Sequence, residues 1–208
     1  MTAPQVSRST NPFHALRQFA QREPVEHCNL CNVQVRPNHL HLLDPSNRSI
    51  LCCCQACSLT LGGAHKRIPQ RILFLRDFRL TDSQWDSLMI PINMAFFFHS
   101  ASTDRVIGLY PSPAGAIEST MQPERWREIV ADNPELRTME SDVEALLMNR
   151  LGAAKGHDGP AYCVLPIDEC FRLVGLVRTH WRGLSGGTEV WKAIGQFFCE
   201  MKERSCRT

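Results

Sequence analysis

The sequence predicts an α+β protein in which an N-terminal zinc-ribbon-like β-hairpin module packs on a mixed α/β domain. Three observations predict this class. Ten cysteines occur in 208 residues, and six of them fall between residues 28 and 57. After residue 80, strand-length apolar runs and amphipathic helical segments are mixed along the chain. No apolar run approaches the roughly 18 residues that a membrane helix needs, so we expect no membrane span.

Composition and charge place the chain among ordinary globular proteins. It is 43% hydrophobic and 21% charged, and its formal net charge is +2. This charge is too small to imply affinity for nucleic acid or for a membrane surface. The first 21 residues lack the apolar core of a secretory signal, so we expect a cytoplasmic protein. In a reducing compartment, clustered cysteines indicate a metal site and not a set of disulfides.

The chain divides by composition into five segments. They are a flexible or helical N-terminal segment (1–24), a metal module (25–62), a basic connector and strand (63–80), a mixed α+β domain (81–203) and a C-terminal tail (204–208).

The metal module contains two CxxC units, at 28–31 and 54–57. Each short turn can direct two sulfur atoms at one point, which is what a tetrahedral thiolate site needs. Between the units, residues 39–43 alternate in polarity, residues 44–47 have turn chemistry and residues 49–51 resume an extended pattern. We therefore expect a β-hairpin that brings the second unit beside the first.

The ligand set is less strictly defined than the site. Cys52 and Cys54 lie on one face of an extended strand, so Cys52 could replace Cys54, and His27 or His41 could supply a nitrogen. A cluster of buried free thiols is the alternative interpretation. The predicted ligands are Cys28, Cys31, Cys54 and Cys57, with Cys52 and His41 as alternates.

Zn²⁺ is the expected metal, because closed tetrahedral sulfur sites in small cytosolic modules are usually structural zinc sites. Four thiolates also suit iron or an iron–sulfur cluster. A closed zinc site would stabilise the module and would not perform chemistry.

The connector carries a run of basic residues that ends before Leu80. A basic stretch beside a zinc module is typical of many nucleic-acid-binding regulators. Apolar residues interrupt the charges here, so we favour a solvated strand and linker and expect no specific nucleic-acid binding. The basic residues are Lys66, Arg67, Arg71, Arg76 and Arg79.

The first half of the mixed domain shows helix and strand signals. A capping box at 81–84 predicts a short helix that ends before Pro91. Apolar runs at 92–100 and 106–110 predict neighbouring buried strands. The prolines of 110–115 predict a rigid turn that ends the second strand.

The second half predicts more helices. Pro123 begins a helix that ends near Asn133, and Ser141 caps another that reaches residue 151. Residues 161–167 form a strand, and the next two helices begin at the N-caps Asp168 and Thr188. The apolar stripe after Ser141 comprises Val143, Leu146, Leu147 and Leu151.

The sequence contains no common catalytic motif such as GxSxG or HExxH, and we favour a non-enzymatic role. A closed metal site and shaped loops suit a chain that works by binding another protein. Aromatic and arginine side chains dominate the energetics of protein interfaces. The candidate partner-binding residues are Tyr110, Arg178 and Arg182.

Several motifs together resemble an uncharacterised bacterial family, domain of unknown function 5947. Its members are often encoded among nickel–iron hydrogenase structural and maturation genes. The resemblance implies a hydrogenase-associated accessory or assembly role, with a hydrogenase subunit or maturation factor as partner. The sequence departs from the family pattern at Cys53. The resembling segments are Cys28–Cys31, His41–Asp44, Cys52 with Cys54 and Cys57, Ala95–Phe98, Tyr110–Gly115, Glu144–Leu147 and Trp181–Gly187.

Overall fold

The computed structural model of the chain describes residues 25–60, 65–151 and 159–205. It shows an α+β protein, as the sequence predicts. The predicted N-terminal segment and most of a polar, glycine-rich loop near residue 155 lie outside the described residues. The strands are β1 (Leu40–Asp44), β2 (Ser49–Cys53), β3 (Lys66–Arg67), β4 (Leu73–Phe74), β5 (Met94–Ser100), β6 (Arg105–Ser112), β7 (Gly115–Glu118), β8 (Glu144–Asn149) and β9 (Ala161–Pro166). The helices are α1 (Gln55–Thr60), α2 (Asp82–Ser87), α3 (Pro123–Asp132), α4 (Ile167–His180) and α5 (Gly187–Ser205), with a 3₁₀ helix at Pro134–Thr138.

The larger sheet is antiparallel throughout, in the order β4-β9-β8-β5-β6-β7. Helices α4 and α5 cover one face, and α2, α3 and the 3₁₀ helix cover the other. Along β5, Phe96 and Phe98 pack in the first layer, whereas Ala95 and Phe97 pack in the second. Because helices bury both faces, the central strands are apolar almost throughout.

The smaller sheet has the order β2-β1-β3 and begins with an antiparallel hairpin. Asp44 accepts hydrogen bonds from the backbone N–H and the hydroxyl of Ser46, which fixes the turn. Leu43 packs into the core beneath α4 and α5, while Leu42 packs against Cys28 and Cys53 on the opposite face. The hairpin therefore joins the cysteine-rich segment to the main core.

The predicted helix after Ser141 is wrong. Residues 144–149 form β8, which pairs with β5 on one side and β9 on the other. Glu, Ala, Leu and Met favour helices in isolation, but a strand buried on both faces also reads as a continuous apolar run. Leu147 lies in one core layer and Leu146 in the other, so tertiary burial outweighs the local preference.

Element boundaries differ from the predictions at several places. Asp168 and Thr188 lie inside the first turns of α4 and α5 and are not N-caps. The strand β6 continues through Pro111 instead of ending before it. Pairing between β5 and β6 ends at Leu109, so Pro111 needs no ladder partner on that side. The predicted capping box is confirmed, since Gln84 N–H donates to Thr81 Oγ1 at 3.1 Å.

Candidate metal centre

Four cysteine sulfur atoms meet at the edge of the smaller sheet. The Sγ atoms lie within 4.8 Å of one another. The Sγ atoms of Cys31 and Cys54 are 3.7 Å apart, too far for a disulfide bond. A tetrahedral metal site with metal–sulfur bonds of about 2.3 Å has sulfur–sulfur edges of about 3.8 Å. This four-cysteine cluster consists of Cys28, Cys31, Cys54 and Cys57.

The first two sulfurs are placed by a tight backbone turn. Asn32 N–H donates to the Cys28 carbonyl at 2.8 Å, and Cys28 N–H donates to the Val33 carbonyl at 2.8 Å. Asn32 adopts the left-handed conformation with φ of 60°, which asparagine tolerates better than most residues. The chain thus reverses at Cys28–Asn32 and directs both side chains to one side.

The other two sulfurs are placed where β2 meets α1. Cys54 immediately precedes the helix, and its carbonyl accepts from Ser58 N–H at 3.0 Å. Cys57 N–H donates to Cys54 Sγ at 3.4 Å, so the sulfur takes the place of an N-cap oxygen. Hydrogen bonds of this kind stabilise a thiolate, which is the form that binds a metal.

The pKa values of two cluster thiols shift in opposite directions: that of Cys28 is lowered, whereas hydrogen bonding with neighbouring cysteines raises that of Cys57. Burial raises the pKa of the Cys28 thiol. Hydrogen bonds from the backbone N–H groups of Cys54, Leu30 and Cys31 lower it by more, so that the pKa is about 6. Burial raises the pKa of Cys53 to about 11. Cys28 is therefore suited to bind a metal as a thiolate. Cys53 packs as a neutral thiol against Leu42.

The two predicted alternates are not in the four-cysteine cluster. Cys52 lies opposite His41 in the β1–β2 register, and both belong to a separate group with His39. His41 Nδ1 lies 2.6 Å from Asp168 Oδ2, and this hydrogen bond raises the pKa of His41. Neither His39 nor this use of Asp168 is among the residues predicted from the sequence. Histidines two residues apart on one strand face, opposite a cysteine, were the signal that could have revealed the group.

The basic connector pairs with buried carboxylates of the main domain. Lys66 Nζ lies 2.7 Å from Asp142 Oδ2. Arg71 makes a bidentate pair with Glu144, with nitrogen–oxygen distances of 2.8 and 2.9 Å. The side chains of Asp142 and Glu144 are 6% and 3% exposed. These two ion pairs hold the connector against the main domain. They also neutralise Lys66 and Arg71, two of the basic residues that a phosphate-binding surface would need.

The partner-binding candidates lie in different environments. Tyr110 is partly buried against the core layer beneath α2 and α3. Arg178 is exposed on α4. Arg182 Nη1 donates to the carbonyls of Thr179 and Trp181, so it caps the end of α4. Leu184, two residues further on, is fully exposed, which the sequence analysis missed.

Fold and site together define an α+β protein with a four-cysteine centre that could hold a metal ion. The chain belongs to a family of unknown function, DUF5947, whose model matches residues 27–205. No curated protein and no solved structure matches the chain. In the part of the chain that the structure describes, no helix is long and apolar enough to cross a membrane.

Proposed function

We propose that this protein is a non-enzymatic accessory or assembly factor whose four-cysteine cluster binds Zn²⁺ as a structural ion. The observation that carries the proposal is the convergence of the four sulfurs, which all lie within 4.8 Å of one another. Four protein ligands fill a tetrahedral zinc site and leave no position for a substrate. The cluster therefore suits stabilisation better than catalysis.

The small apolar core around the cluster supports a structural role for the metal. Among the described residues, the core beside the cluster contains the three buried side chains of Cys28, Leu42 and Cys53. Such a core supplies little hydrophobic stabilisation, so metal–ligand bonds would supply much of the free energy that orders this segment. Replacing one ligand should disorder the two cysteine turns without unfolding the larger sheet or the β1–β2 hairpin, which packs into the main core through Leu43.

A protein partner is the second part of the proposal. The loop between α4 and α5 presents Leu184 with its whole side chain in solvent, and Arg178 is exposed on α4. Arginine is enriched among the residues that dominate interface energetics, and a partner would bury the apolar surface that Leu184 leaves in solvent. The family resemblance supplies the class of partner, a hydrogenase subunit or maturation factor.

Affinity purification from a native host tests the partner. The wild-type chain should recover a hydrogenase subunit or maturation factor, and Leu184→Asp should reduce that recovery at least several-fold. Met89→Asp is the matched control, because Met89 is also an exposed apolar side chain (63% exposed) but lies after α2. Equal recovery by both variants would remove Leu184 from the interface. Turnover of a small molecule by the isolated chain, with no partner recovered, would reject the accessory role.

The iron–sulfur alternative predicts a different appearance. An iron centre with thiolate ligands absorbs visible light, whereas a zinc centre is colourless. Protein purified without air should be colourless and contain zinc. Brown protein with iron and labile sulfide would replace the zinc proposal with that of an electron carrier.

A further inference from the structure

We propose that His39, His41 and Cys52 form a second metal site, which binds a divalent first-row transition-metal ion and keeps one coordination position open. One nitrogen or sulfur atom from each residue lies within 4.8 Å of the others. His39 and His41 are two residues apart and therefore share one side of the extended chain. Cys52 lies directly opposite His41 in the neighbouring strand. The hairpin thus places three good ligands for a transition metal together.

The orientation of His39 is the strongest sign of a ligand. Its side chain is 5% exposed. Its Nδ1 lies 2.9 Å from the Arg36 carbonyl, which can only accept, so Nδ1 carries the proton. Its Nε2 is buried and has no hydrogen-bond partner among the described residues. A buried imidazole nitrogen without a partner is unfavourable, and a metal ion would satisfy its lone pair.

His41 has the arrangement that metal-binding histidines usually have. Its Nδ1 donates to Asp168 Oδ2 at 2.6 Å, which leaves Nε2 as the nitrogen for a metal. Asp168 is itself held, because its Oδ1 accepts from Glu169 N–H at 2.9 Å. A carboxylate that holds a histidine in this way fixes the ring and makes its free nitrogen a better donor. Asp168 is therefore a positioning residue for this site.

The ligand set selects the class of ion. Two imidazoles and one thiolate suit Zn²⁺, Co²⁺ or Ni²⁺, and they do not suit Mg²⁺ or Ca²⁺, which prefer oxygen. Three protein ligands leave the fourth tetrahedral position free. Both histidines line a groove of about 440 Å³, and Glu169 and Arg204 also line it. An external ligand could reach the metal through this groove, in contrast to the closed four-cysteine cluster.

The two sites share no ligand, so their proposals can fail separately. The test is a Co²⁺ titration of the metal-free full-length chain without air, followed by visible absorption. We expect two saturable equivalents. Cobalt bound by four sulfurs gives intense sulfur-to-metal charge-transfer bands, and cobalt in the second site has one thiolate and should give weaker ones.

Single substitutions assign the two equivalents. His39→Gln should bind one equivalent and keep the intense bands. Cys31→Ser should lose those bands and keep the weaker binding. His180→Gln is the matched control, since His180 Nδ1 also contacts a backbone carbonyl, that of Leu176, but lies on α4 away from the group. It should bind two equivalents.

A variant that keeps all three ligands separates loss of metal binding from misfolding. Asp168→Asn keeps all three ligands and should weaken the second equivalent about 10- to 100-fold, with the intense bands unchanged. Those bands show that the hairpin has folded. A single equivalent in the wild-type chain would overturn the proposal. Two equivalents retained by both His39→Gln and Cys52→Ser would overturn it as well.

Discussion

Asn29 holds the backbone of Cys52 through two hydrogen bonds. Asn29 N–H donates to the Cys52 carbonyl at 2.8 Å, and Cys52 N–H donates to Asn29 Oδ1 at 2.6 Å. Asn29 follows the cluster ligand Cys28, and Cys52 precedes the ligand Cys54 by two residues. This contact therefore joins the first cysteine turn to β2 and sets how the two halves of the four-cysteine cluster face each other.

Loss of the Asn29 side chain should weaken metal binding by the cluster. Asn29→Ala removes one hydrogen bond and leaves Cys52 N–H without this partner, at a cost of about 1 kcal/mol in unfolding free energy. Because the lost contact aligns the two cysteine pairs, zinc affinity should fall about 5-fold or more. Chelator competition measures the affinity, and urea unfolding of the zinc-loaded chain measures the stability.

Asn47→Ala is the control for that variant. Asn47 Oδ1 accepts from Ser49 N–H at 2.8 Å in the β1–β2 turn, a contact of the same kind at the other end of the hairpin. It should lower stability by a similar amount and leave zinc affinity unchanged. Equal zinc affinity in the two variants would contradict the role given to Asn29.

The bidentate pair of Arg71 and Glu144 should be important for stability. Arg71→Met leaves the carboxylate of Glu144, which is 3% exposed, without its cation. Removing one member of a buried ion pair costs about 3 kcal/mol, and the partial exposure of Arg71 should reduce that figure somewhat. Arg105→Met is the control, because Arg105 and Glu118 form a pair with both side chains about half exposed. Urea unfolding should separate the two variants, and equal losses would contradict this account.

The four-cysteine cluster could be predicted because the two-residue spacing within each cysteine pair is typical of metal ligands. Each CxxC unit, at 28–31 and 54–57, predicts a short turn, and the turn residues at 44–47 predict the hairpin between the units. The buried faces of α4 and α5 follow from the helical period of their apolar residues. In these cases the sequence signal is local, although the two CxxC units themselves meet across 23 residues.

The errors arise where distant contacts decide the structure. Residues 144–149 favour a helix locally and become a strand because β5 and β9 lie on either side. Asp168 looks like a helix cap until the fold brings it to His41, 127 residues away. The exposure of Leu184 likewise depends on how the loop after α4 leaves the core. None of these contacts has a short-range pattern.

Two core thiols should make the protein sensitive to alkaline pH. Burial raises the pKa of both Cys163 and Cys170 well above the usual range of a thiol. Below about pH 7.5, both thiols are protonated in the folded and the unfolded chain. At higher pH the unfolded chain loses these protons and the folded chain does not, so stability falls by up to about 1.4 kcal/mol per pH unit for each thiol.

The double variant Cys163→Ala/Cys170→Ala isolates this effect. It should be less stable than the wild-type chain at pH 8, because alanine leaves small cavities. The difference should shrink as the pH rises from 9 to 11, since the variant lacks the two ionising groups. Urea unfolding at a series of pH values measures it. A stability difference that stays constant from pH 9 to 11 would show that these thiols do not cause the loss of stability at alkaline pH.

The most direct test of the zinc-binding cluster is metal analysis of Cys31→Ser beside Cys199→Ser. Both residues are exposed free cysteines, but only Cys31 belongs to the four-cysteine cluster. The chains are purified without air and dialysed against a chelator of moderate strength, which removes ions held by three ligands and spares a closed site. We expect about one zinc per chain in the wild type and in Cys199→Ser, and almost none in Cys31→Ser. Equal metal content in the two variants, or iron in place of zinc, would contradict the account.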